Sequence, residues 1–518
     1  MRTRRSLLMA VVFVSGMTGL GIEMAASRLL APYFGTSQFI WANLIGLVLI
    51  YLAVGYLIGG RVADRWPRAH VLYGITTVAG AFIVLVPFIS SPILSWSQEG
   101  FQQVSVGIFY GSLLGVILLF AVPMTLLGMV SVFAIRLEIA GVGSAGNTAG
   151  AIYALSTVGS ILGTFVPVFV LLPALGTART LFLTGAVLLA VSALGLLTAG
   201  ARRATLLAGA ATVVSLGLML VPPGLIKPPP YGTLLAERES LYNYIQVVGL
   251  PGGEVHLVLN EGHAVHSDYR PDALGPLTGG PWDYWLVAPY LAPNVNKSDV
   301  QSMLMLGSAA GTASTLFTKV YGPVPIDNVE IDPEIVALGR QYFHMDQPNV
   351  QVHIEDARVY LHFAEKQYSV IGVDAYRQPY IPFHLTTREF FAEVQAHLLP
   401  DGVVMINVGR TATDFRLVNA IAATMRSVFP HVYIIDVGGA GRQGGNSMVA
   451  GTAAAGGLAN FRAAADRATD PLLQPVFSAA LTYGNMREVA PGGLVFTDDK
   501  APVEEVIDQI ILNYVSAP

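Results

Sequence analysis

A series of apolar segments, each long enough to cross a lipid bilayer, fills the first 221 residues of this 518-residue chain. A membrane-spanning helix needs about 20 apolar residues, and such stretches recur at about 7–30, 40–60, 71–93, 106–139, 150–172, 180–199 and 204–221. The pattern predicts an all-α polytopic membrane domain over residues 1–221 with seven or eight spans. The number of spans depends on the stretch at 106–139. One helix of that length would reach about 50 Å. Because Pro123 lies near the middle of the stretch, a hairpin of two short helices is the alternative.

The distribution of arginine orients these spans. Three Arg precede the first span and three lie at 61–70, whereas the loop at 90–105 has none, and cytoplasmic loops carry the excess of basic residues. The N-terminus is therefore predicted to be cytoplasmic, on an uncleaved first helix whose apolar run outlasts a signal peptide and contains Glu23. Seven spans would leave the C-terminal part outside, and eight would leave it inside. We expect eight, in the cell inner membrane with a cytoplasmic catalytic domain, because the chemistry inferred below uses a cytosolic metabolite.

Two features of the membrane part go beyond hydropathy. Glu23 and Arg28 lie within the first span, where ionisable groups are costly and commonly face a bundle interior or a polar cavity. The alternative is that both lie near the interface and are solvated there. Residues 59–68 (GGRVADRWPR) resemble the short loop between the second and third helices of major facilitator transporters. That resemblance implies a cytoplasmic loop and leaves a transport function open.

The rest of the chain has a different composition. The first 220 residues carry a net charge of +7, whereas the remaining 298 carry −12, which argues against a nucleic-acid partner because binding nucleic acid needs clustered cations. The lack of Cys excludes disulfides and thiolate metal sites. A Pro-rich linker is predicted at 222–231. A small β-hairpin subdomain is predicted at 232–295, with strands at 237–249 and 254–267 and a helical stretch near 283–291.

From residue 296 to residue 518 the pattern predicts an α/β Rossmann-like domain. Short apolar runs alternate with helical patterns, as in a parallel sheet with crossover helices. The runs are 301–306, 324–331, 350–354, 368–373, 402–408 and 431–437. Ligands of such sheets bind at the carboxyl ends of the strands, so the residues that follow each run are the candidate site residues.

Four successive strand ends carry groups suited to a nucleoside-like ligand. A turn of small residues at 307–311 (GSAAG) follows the first run and lets the backbone approach a ligand closely. Glu330 ends the second run, where a carboxylate can accept both hydroxyl groups of a ribose. Asp356 follows the third run and Asp374 follows the fourth. Each acid alone is more often a helix cap, but four in succession favour a binding site.

These residues resemble those of a known family, the spermidine synthases or polyamine aminopropyltransferases, in their membrane-fused form. The resemblance covers roughly residues 232–510. It rests, in the family order, on SLYN (240–243), NEG (260–262), GSAAG (307–311), VEID (329–332), EDA (355–357), VD (373–374) and TTREFF (386–391). It implies a class I methyltransferase-like Rossmann domain behind a small β-hairpin domain, and a site for an S-adenosyl nucleoside.

The resemblance also implies roles for individual residues. Asp374 matches the catalytic Asp that holds and helps deprotonate the attacking amine. The residues implied in nucleoside binding are Asn243, Gly307, Ser308, Ala309, Gly311, Glu330, Asp356 and Ala357. Those implied in binding the acceptor are Glu261, His266, Asp283, Tyr376 and Arg377. The co-substrate would be S-adenosylmethionine or its decarboxylated form, and no metal is expected.

Several positions depart from the family pattern. Ala310 replaces the Asp that grips the aminopropyl amine of decarboxylated S-adenosylmethionine, and Arg377 replaces the second Asp of the catalytic D-S-S-D. The family's Y-H-E aligns with residues 281–283, of which only Asp283 is acidic. A diamine pocket needs several carboxylates to replace water around two ammonium groups. Standard conversion of putrescine to spermidine is therefore not expected.

Four functions follow from these departures. The first is aminopropyl transfer to another small-molecule amine or a lipophilic acceptor, with release of methylthioadenosine. The second is intramolecular cleavage of S-adenosylmethionine, a lyase or cyclase reaction in which Arg377 would pair with the carboxylate. The third is a methyltransferase, and the fourth is a transporter or sensor with a nucleoside-binding domain. The lipid bilayer is an expected partner, and a homodimer is a candidate assembly.

The histidines and one glycine-rich segment were considered separately. His263 and His266 have a spacing that could bring ligands together, but residues i and i+3 of a strand point to opposite faces, so a metal site is not predicted there. The segment at 438–445 (GGAGRQGG) is predicted to be a mobile loop.

Overall fold

The computed structural model describes residues 2–100, 107–139, 141–222, 224–262, 264–376, 380–438, 444–482 and 485–516. The chain divides into two compact units, Met1–Pro228 and Pro229–Pro518. The division falls within the segment predicted as a linker, 222–231.

The first unit is helical. Its helices are α1 (Arg2–Phe34), α2 (Gln38–Arg65), α3 (Ala69–Gly100), α4 (Gly107–Glu138), α5 (Ala145–Val166), α6 (Leu172–Thr198) and α7 (Arg202–Leu218). A π-helical turn, Pro167–Leu171, joins α5 to α6, and Gly176 breaks the helical geometry of α6 with a φ of 76°. Within the described ranges, five helical segments are long and apolar enough to cross a membrane, and the α5–α6 segment counts as one of them.

Residues 107–138 form one continuous helix and not the hairpin considered above. The described residues of the first unit contain seven long helices, and the number of membrane spans stays a prediction. Close packing explains why α4 stays continuous despite Pro123. A Cβ atom added at Gly55 or Gly59 of α2 would lie 2.3 Å and 2.7 Å from the backbone of α4. Small residues that let helix backbones approach this closely are typical of membrane bundles.

The helix α1 packs against α5 in the same way. A Cβ added at Gly159 would lie 2.1 Å from the carbonyl oxygen of Phe13, and one added at Gly163 would lie 2.1 Å from that of Met17. These contacts require glycine at both positions, which are four residues apart and share one face of α5.

Polar contacts identify the two ends of the helical unit. Arg5 pairs with Glu138 at 2.6 Å, which brings the start of α1 next to the end of α4. At the other end of α1, the Tyr33 hydroxyl donates to the carbonyl oxygen of Ile226 at 2.6 Å, and Lys227 donates to that of Pro32 at 2.6 Å. The last residues of this unit therefore lie at the end of α1 opposite to Arg5.

The second unit begins with a four-stranded antiparallel sheet in the order β1–β2–β3–β4. Its strands are β1 (Thr233–Glu239), β2 (Tyr244–Gly249), β3 (Val255–Leu259) and β4 (Val265–Tyr269). Each of the two predicted strands, 237–249 and 254–267, is thus a hairpin of its own. The Ser240 hydroxyl accepts hydrogen bonds from the backbone of Tyr242 and Asn243 and forms the first turn. Asn260, which has a φ of 47°, begins the turn between β3 and β4.

The larger sheet has eight strands in the order β12–β10–β11–β9–β8–β5–β6–β7. Its strands are β5 (Met303–Leu306), β6 (Ile326–Glu330), β7 (Val350–Ile354), β8 (Tyr368–Val373), β9 (Leu398–Thr411), β10 (His431–Asp436), β11 (Gly444–Thr452) and β12 (Arg487–Glu488). Strands β5 to β9 pair in parallel, as predicted, but β11 is antiparallel to both β9 and β10. Residues 444–445 of the predicted mobile loop belong to β11, and residues 439–443 lie outside the described ranges.

Helices cover both faces of this sheet. They are α8 (Thr312–Tyr321), α9 (Pro333–Tyr342), α10 (Ala357–Phe363), α11 (Arg388–Ala396), α12 (Arg416–Arg426), α13 (Gly457–Arg467), α14 (Leu473–Thr482) and α15 (Val503–Ser516). One apolar layer is formed with α10, α11, α12 and α15, and the other with α8, α13 and α14. The stretch predicted to be helical near 283–291 consists of two 3-10 turns, Pro281–Leu286 and Ala288–Leu291.

The strand order reverses at β5, which pairs with β6 on one side and β8 on the other. A crevice for ligands forms at such a switch point, outside the carboxyl ends of the strands. The fold therefore brings the ends of β5, β6 and β8 together, as the sequence predicted.

Candidate active site

The turn after β5 packs directly against the end of β8. The Asp374 N–H donates to the carbonyl oxygen of Leu306 at 2.8 Å. Gly307 has a φ of 82°, and a Cβ added there would lie 2.6 Å from the backbone nitrogen and Cα of Ala375. Only glycine fits both the conformation and the space, so this residue sets how close the turn comes to Asp374.

Glu330, at the end of β6, holds the same turn from the other side. Its carboxylate accepts hydrogen bonds from the Ala309 N–H at 2.9 Å and from the Asp332 N–H at 3.0 Å. Burial raises the pKa of Glu330 to about 7. Its predicted contact with ribose hydroxyl groups stays a prediction.

Two side chains from elsewhere in the chain lie beside Asp374. Asn407 donates from Nδ2 to the Asp374 carboxylate at 2.8 Å, and the side chain of Trp282 lies close enough to favour the ionised form of the same carboxylate. Burial raises the pKa of Asp374 to about 7. The residue as a whole is partly exposed.

Asn407 is fixed in turn by a polar network around β9. Its side-chain oxygen accepts from Asn446 at 2.8 Å, and its backbone oxygen accepts from the Tyr376 hydroxyl at 2.9 Å. Burial raises the pKa of Tyr376, so its hydroxyl stays protonated and can also accept from the Gly409 N–H at 2.8 Å. This places Tyr376, a predicted acceptor-binding residue, one hydrogen bond away from the network that orients Asp374.

The sequence analysis did not identify the roles of Asn407 and Trp282. Asn407 lies in the predicted run 402–408, and the rule that site residues cluster at strand ends could have pointed to it. Trp282 directly precedes Asp283 in the chain. No local sequence signal places it on Asp374, because the contact joins residues 92 positions apart.

Asp356 forms the N-cap of α10. Its Oδ1 accepts from the backbone N–H groups of Arg358 and Val359 at 2.9 Å and 3.1 Å, and its Oδ2 lies 3.2 Å from Nε2 of His384. The bond to His384 is the main reason that the pKa of Asp356 is lowered. A cavity of about 280 Å³ opens beside it, lined by Asp356, Arg358, Val359, His362, Phe363, His384 and Glu393. The capping role is thus present, and contact of Asp356 or Ala357 with adenine stays a prediction.

Asn243 ties the small sheet to the end of β6. Its Nδ2 donates to Asp332 at 3.0 Å, and the Ser240 hydroxyl donates to the same carboxylate at 2.5 Å. The Asp332 N–H in turn donates to Glu330. The SLYN and VEID motifs therefore meet in one network, and direct contact of Asn243 with a ligand stays a prediction.

The structure gives fewer contacts for the other predicted site residues. The Asp283 carboxylate is buried and accepts from Thr278 and Gly279 of its own loop at 2.7–3.0 Å. Burial and Asp508 are the main causes that raise the pKa of Tyr380, and the negative charge of Glu261 adds to them. The buried Ser308 hydroxyl has no hydrogen-bond partner among the described residues. His266 lies on β4 and Gly311 ends the turn; Arg377 and His263 lie outside the described residues.

Three side chains of the small sheet have the residue types of a metal site. The ligand atoms of Glu254, His256 and Asp268 lie within 4.8 Å of one another. They form an ion-pair cluster in which His256 lies 3.2 Å from Glu254, and Arg270 lies 3.9 Å from Glu254. The mechanism proposed below uses no metal ion.

Comparison with known proteins agrees with the resemblance stated above. A family model described as "Spermine/spermidine synthase domain" matches residues 293–450. A probable polyamine aminopropyl transferase from Bifidobacterium longum is 34% identical over 297 residues, which cover 54% of this chain and 64% of that protein. A polyamine aminopropyltransferase from Vibrio vulnificus is 33% identical over 211 residues, which cover 39% of this chain and 67% of that protein.

The match to these curated relatives spans about two thirds of their length. Among solved structures, that of a probable spermidine synthase from Corynebacterium glutamicum is similar at 18% identity, with a TM-score of 0.40, over 56% of this chain and 95% of that one. The matching residues include the turn after β5 and the strand ends that carry Glu330, Asp356 and Asp374. The chain therefore belongs to the spermine/spermidine synthase family, whose curated relatives here are polyamine aminopropyltransferases.

Proposed function

We propose that the C-terminal unit transfers an aminopropyl-type arm from decarboxylated S-adenosylmethionine, or from S-adenosylmethionine, to an amine acceptor and releases methylthioadenosine. The observation that carries this proposal is the position of Asp374. It is a carboxyl group with a pKa of about 7, held by Asn407 and close to Trp282, beside the glycine turn. A general base works best when its pKa lies near the operating pH.

The chemistry needs little beyond a base and positioning. An ammonium nitrogen has no free electron pair, so the acceptor first loses a proton, which Asp374 accepts. The amine nitrogen then attacks the carbon next to the sulfonium, and the carbon–sulfur bond breaks with its electron pair going to sulfur. Methylthioadenosine leaves as a neutral thioether, and Asp374 returns its proton to solvent. Holding the two reactants in line supplies much of the remaining rate acceleration.

The acceptor is proposed to differ from a simple diamine. Ala310, at the position of the family's amine-gripping Asp, is fully buried, and its N–H donates to the Ser267 hydroxyl. The Asp283 oxygens are already used within their own loop. The described part of the site therefore offers few carboxylates to bind a second ammonium group.

The experiment that tests this function supplies each donor with a mixture of isotope-labelled amines. The full-length protein in detergent is incubated with either donor, and labelled products are separated and identified by mass spectrometry. A labelled amine heavier by one transferred arm, formed together with methylthioadenosine, supports the proposal. Methylthioadenosine formed equally without any amine would indicate intramolecular cleavage and contradict amine transfer.

The rate of transfer should depend on pH through Asp374. The base acts only when ionised, and its folded-state pKa is raised to about 7. Below that value the ionised fraction falls tenfold per pH unit, so the rate at saturating donor should fall likewise and level off above about pH 7. Glu330 has a similar pKa, so Glu330→Gln serves as the control and should keep the same pH dependence. A flat profile between pH 5 and 8 would contradict a role for Asp374 as base.

We further propose that the helical unit spans the inner membrane with its arginine-rich end in the cytoplasm. Five long apolar segments are compatible with membrane insertion. Arg4 and Arg5 contact the ends of α6 and α4, and Arg136 pairs with Asp64 at the end of α2, so these basic residues share one end of the unit. That end is expected to be cytoplasmic.

This orientation reverses the expected side for the C-terminal unit. The cytoplasmic placement assumed eight spans and stays untested, but Ile226 and Lys227 lie at the end of α1 opposite to Arg5. We therefore propose that the chain leaves the membrane on the non-cytoplasmic side. The donor would then have to be supplied on that side.

The complete lack of Cys makes this topology directly testable. Single Cys residues are introduced by Arg68→Cys, in the exposed loop after α2, and by Asp499→Cys, in an exposed turn of the C-terminal unit. In cells whose cytoplasmic membrane is intact, a membrane-impermeant maleimide should label Asp499→Cys, and it should label Arg68→Cys only after permeabilisation. The reverse pattern would place the C-terminal unit in the cytoplasm and contradict the proposal. The homodimer stays a prediction.

A further inference from the structure

One face of α1 carries polar groups inside the helical unit. Ser15, Gly19 and Glu23 follow one another at intervals of four residues and therefore share a face of this helix. The exposed fraction of Ser15 is 5% and that of Glu23 is 8%, and Gly19 is also buried. Thr18, which is also fully buried, lies about 140° around the helix axis from Glu23.

These polar groups lack partners within the protein. Over the ranges that the structure describes, no hydrogen bond or ion pair joins Glu23 to another residue, and the hydroxyl groups of Ser15 and Thr18 are buried without a hydrogen-bond partner. Buried polar groups are normally satisfied, and an isolated buried carboxylate is the most costly case. The face is therefore built to meet something other than the protein's own side chains.

The structure also leaves space next to this face. A Cβ added at Gly19 would have no atom within 4 Å, although Gly19 is buried. On the side of α1 that packs against α5, by contrast, a Cβ at Gly16 would lie 2.2 Å from the carbonyl oxygen of Ser156. Tight packing on one side of α1 and open space at Gly19, one turn from Glu23, indicate an internal cavity.

The depth of Glu23 along α1 places this cavity inside the bilayer. Glu23 lies 11 residues before Phe34 and 18 residues after Arg5, which corresponds to about 16 Å and about 27 Å along the helix. The hydrocarbon core of a bilayer is about 30 Å thick. An ionisable residue at that depth, facing a bundle interior, commonly marks a substrate or ion pathway.

On the side of α1 opposite to Glu23, the neighbouring helices are irregular. The Cβ position of Gly21 lies 3.5 Å from Pro167, which begins the π-helical turn, and 3.9 Å from Thr184 of α6. The break at Gly176 follows within three turns. Interrupted helices at membrane depth are typical of binding sites in transporters, and π-helical turns are frequent at functional sites.

We propose that Glu23 is the counter-ion of an alkylammonium group in this cavity, and that the helical unit carries aliphatic amines across the membrane. A carboxylate with no positive partner stabilises a cation, and the Ser15 hydroxyl, about two turns earlier on the same face, can accept hydrogen bonds from ammonium N–H groups. The choice of amine over an inorganic cation follows from the proposed function, since the C-terminal unit uses amines. The proposal rests on membrane insertion and is independent of the role of Asp374.

The test measures uptake of radiolabelled putrescine and spermidine by the full-length protein reconstituted in lipid vesicles. Wild type should take up at least one of these amines, and Glu23→Gln should lower the uptake rate by about tenfold or more, because the amide cannot neutralise an ammonium group. Glu23→Asp keeps the charge and should lose less. Glu138→Gln is the matched control, because Glu138 lies at the end of the unit, paired with Arg5, and should leave uptake unchanged.

Methylthioadenosine formation shows whether each variant is folded and separates this proposal from the proposed enzymatic function. Glu23→Gln should keep that activity while losing uptake, and Asp374→Asn should lose that activity while keeping uptake. The absence of amine uptake by wild type, uptake of inorganic cations only, or full amine uptake by Glu23→Gln would each overturn the proposal, whatever the C-terminal unit catalyses.

Discussion

Replacing Asp374 by Asn is expected to lower the rate of methylthioadenosine formation by about 10²- to 10⁴-fold, the usual contribution of a general base. The amide has nearly the same shape, and its oxygen can still accept the hydrogen bond that Asn407 donates to the carboxylate. It cannot accept a proton from the acceptor amine. Donor affinity, measured by calorimetry, should therefore stay within a few fold of wild type while turnover collapses.

The matched control for this substitution is Asp470→Asn. Asp470 pairs with Lys297 at 2.7 Å near the surface, away from the strand ends that form the site, and loss of such an ion pair costs little. Its variant should retain wild-type turnover. Wild-type turnover by Asp374→Asn would remove Asp374 from the mechanism and leave the geometry of the site without its proposed base.

Replacing Gly307 by Ala should disable the site by a different route. The added Cβ would lie 2.6 Å from the backbone of Ala375, and the φ of 82° is itself unfavourable for Ala. The turn and the end of β8 must then separate, which moves Asp374 relative to the nucleoside. We expect at least tenfold weaker donor binding and a lower thermal-unfolding midpoint, because overpacking of this kind typically costs about 1–3 kcal/mol.

Gly322→Ala separates the clash from the backbone strain. Gly322 also has a positive φ, of 78°, but a Cβ added there would have no atom within 4 Å. Its variant should lose some thermal stability and keep donor affinity. If Gly307→Ala behaves no worse than Gly322→Ala, the close approach between the turn and β8 is not needed for binding.

The parallel part of the large sheet was predictable because its signal is local. The predicted runs 350–354 and 368–373 coincide with β7 and β8, and the run 301–306 contains β5. Strands that are buried on both faces read as short continuous apolar runs, so a window of a few residues is enough to find them.

The elements that were missed depend on contacts between distant residues. The first two residues of β11 were predicted as part of a loop, because this glycine-rich start has low strand propensity, and the rest of the strand was not predicted. Pairing with β9 and β10 on both sides makes the segment a strand. The small sheet was predicted with two long strands in place of four. The turn at Ser240 that divides the first of them is also held by a hydrogen bond to Asp332, which local propensity does not reveal.

The strand ends that form the candidate site could be predicted from the sequence, but the side chains that surround Asp374 could not. Strand-end reasoning and the family resemblance pointed to Glu330, Asp356 and Asp374, and the structure brings the ends of their strands to the same edge of the sheet. The side chains beside Asp374 come from residues 282 and 407. Their convergence depends on the tertiary fold, so no spacing rule could assign them.

In the helical unit, hydropathy predicted where helices lie but not how many segments the longest stretch contains. Length and Pro123 suggested a hairpin at 106–139, because a lone helix with a central proline is strained. Packing against α2 through glycines outweighs that cost and keeps α4 continuous. The number of helices, and with it the proposed side of the C-terminal unit, therefore followed from tertiary contacts.

The most direct test of the central claim is to identify the nucleoside that the full-length protein releases from each S-adenosyl donor in the presence of an amine mixture, by mass spectrometry. Transfer of the propylamine-bearing arm predicts methylthioadenosine, formed in proportion to a new amine product and absent with Asp374→Asn. Release of adenosylhomocysteine would instead identify a methyltransferase and contradict the claim. Failure to release any nucleoside from either donor would contradict it as well.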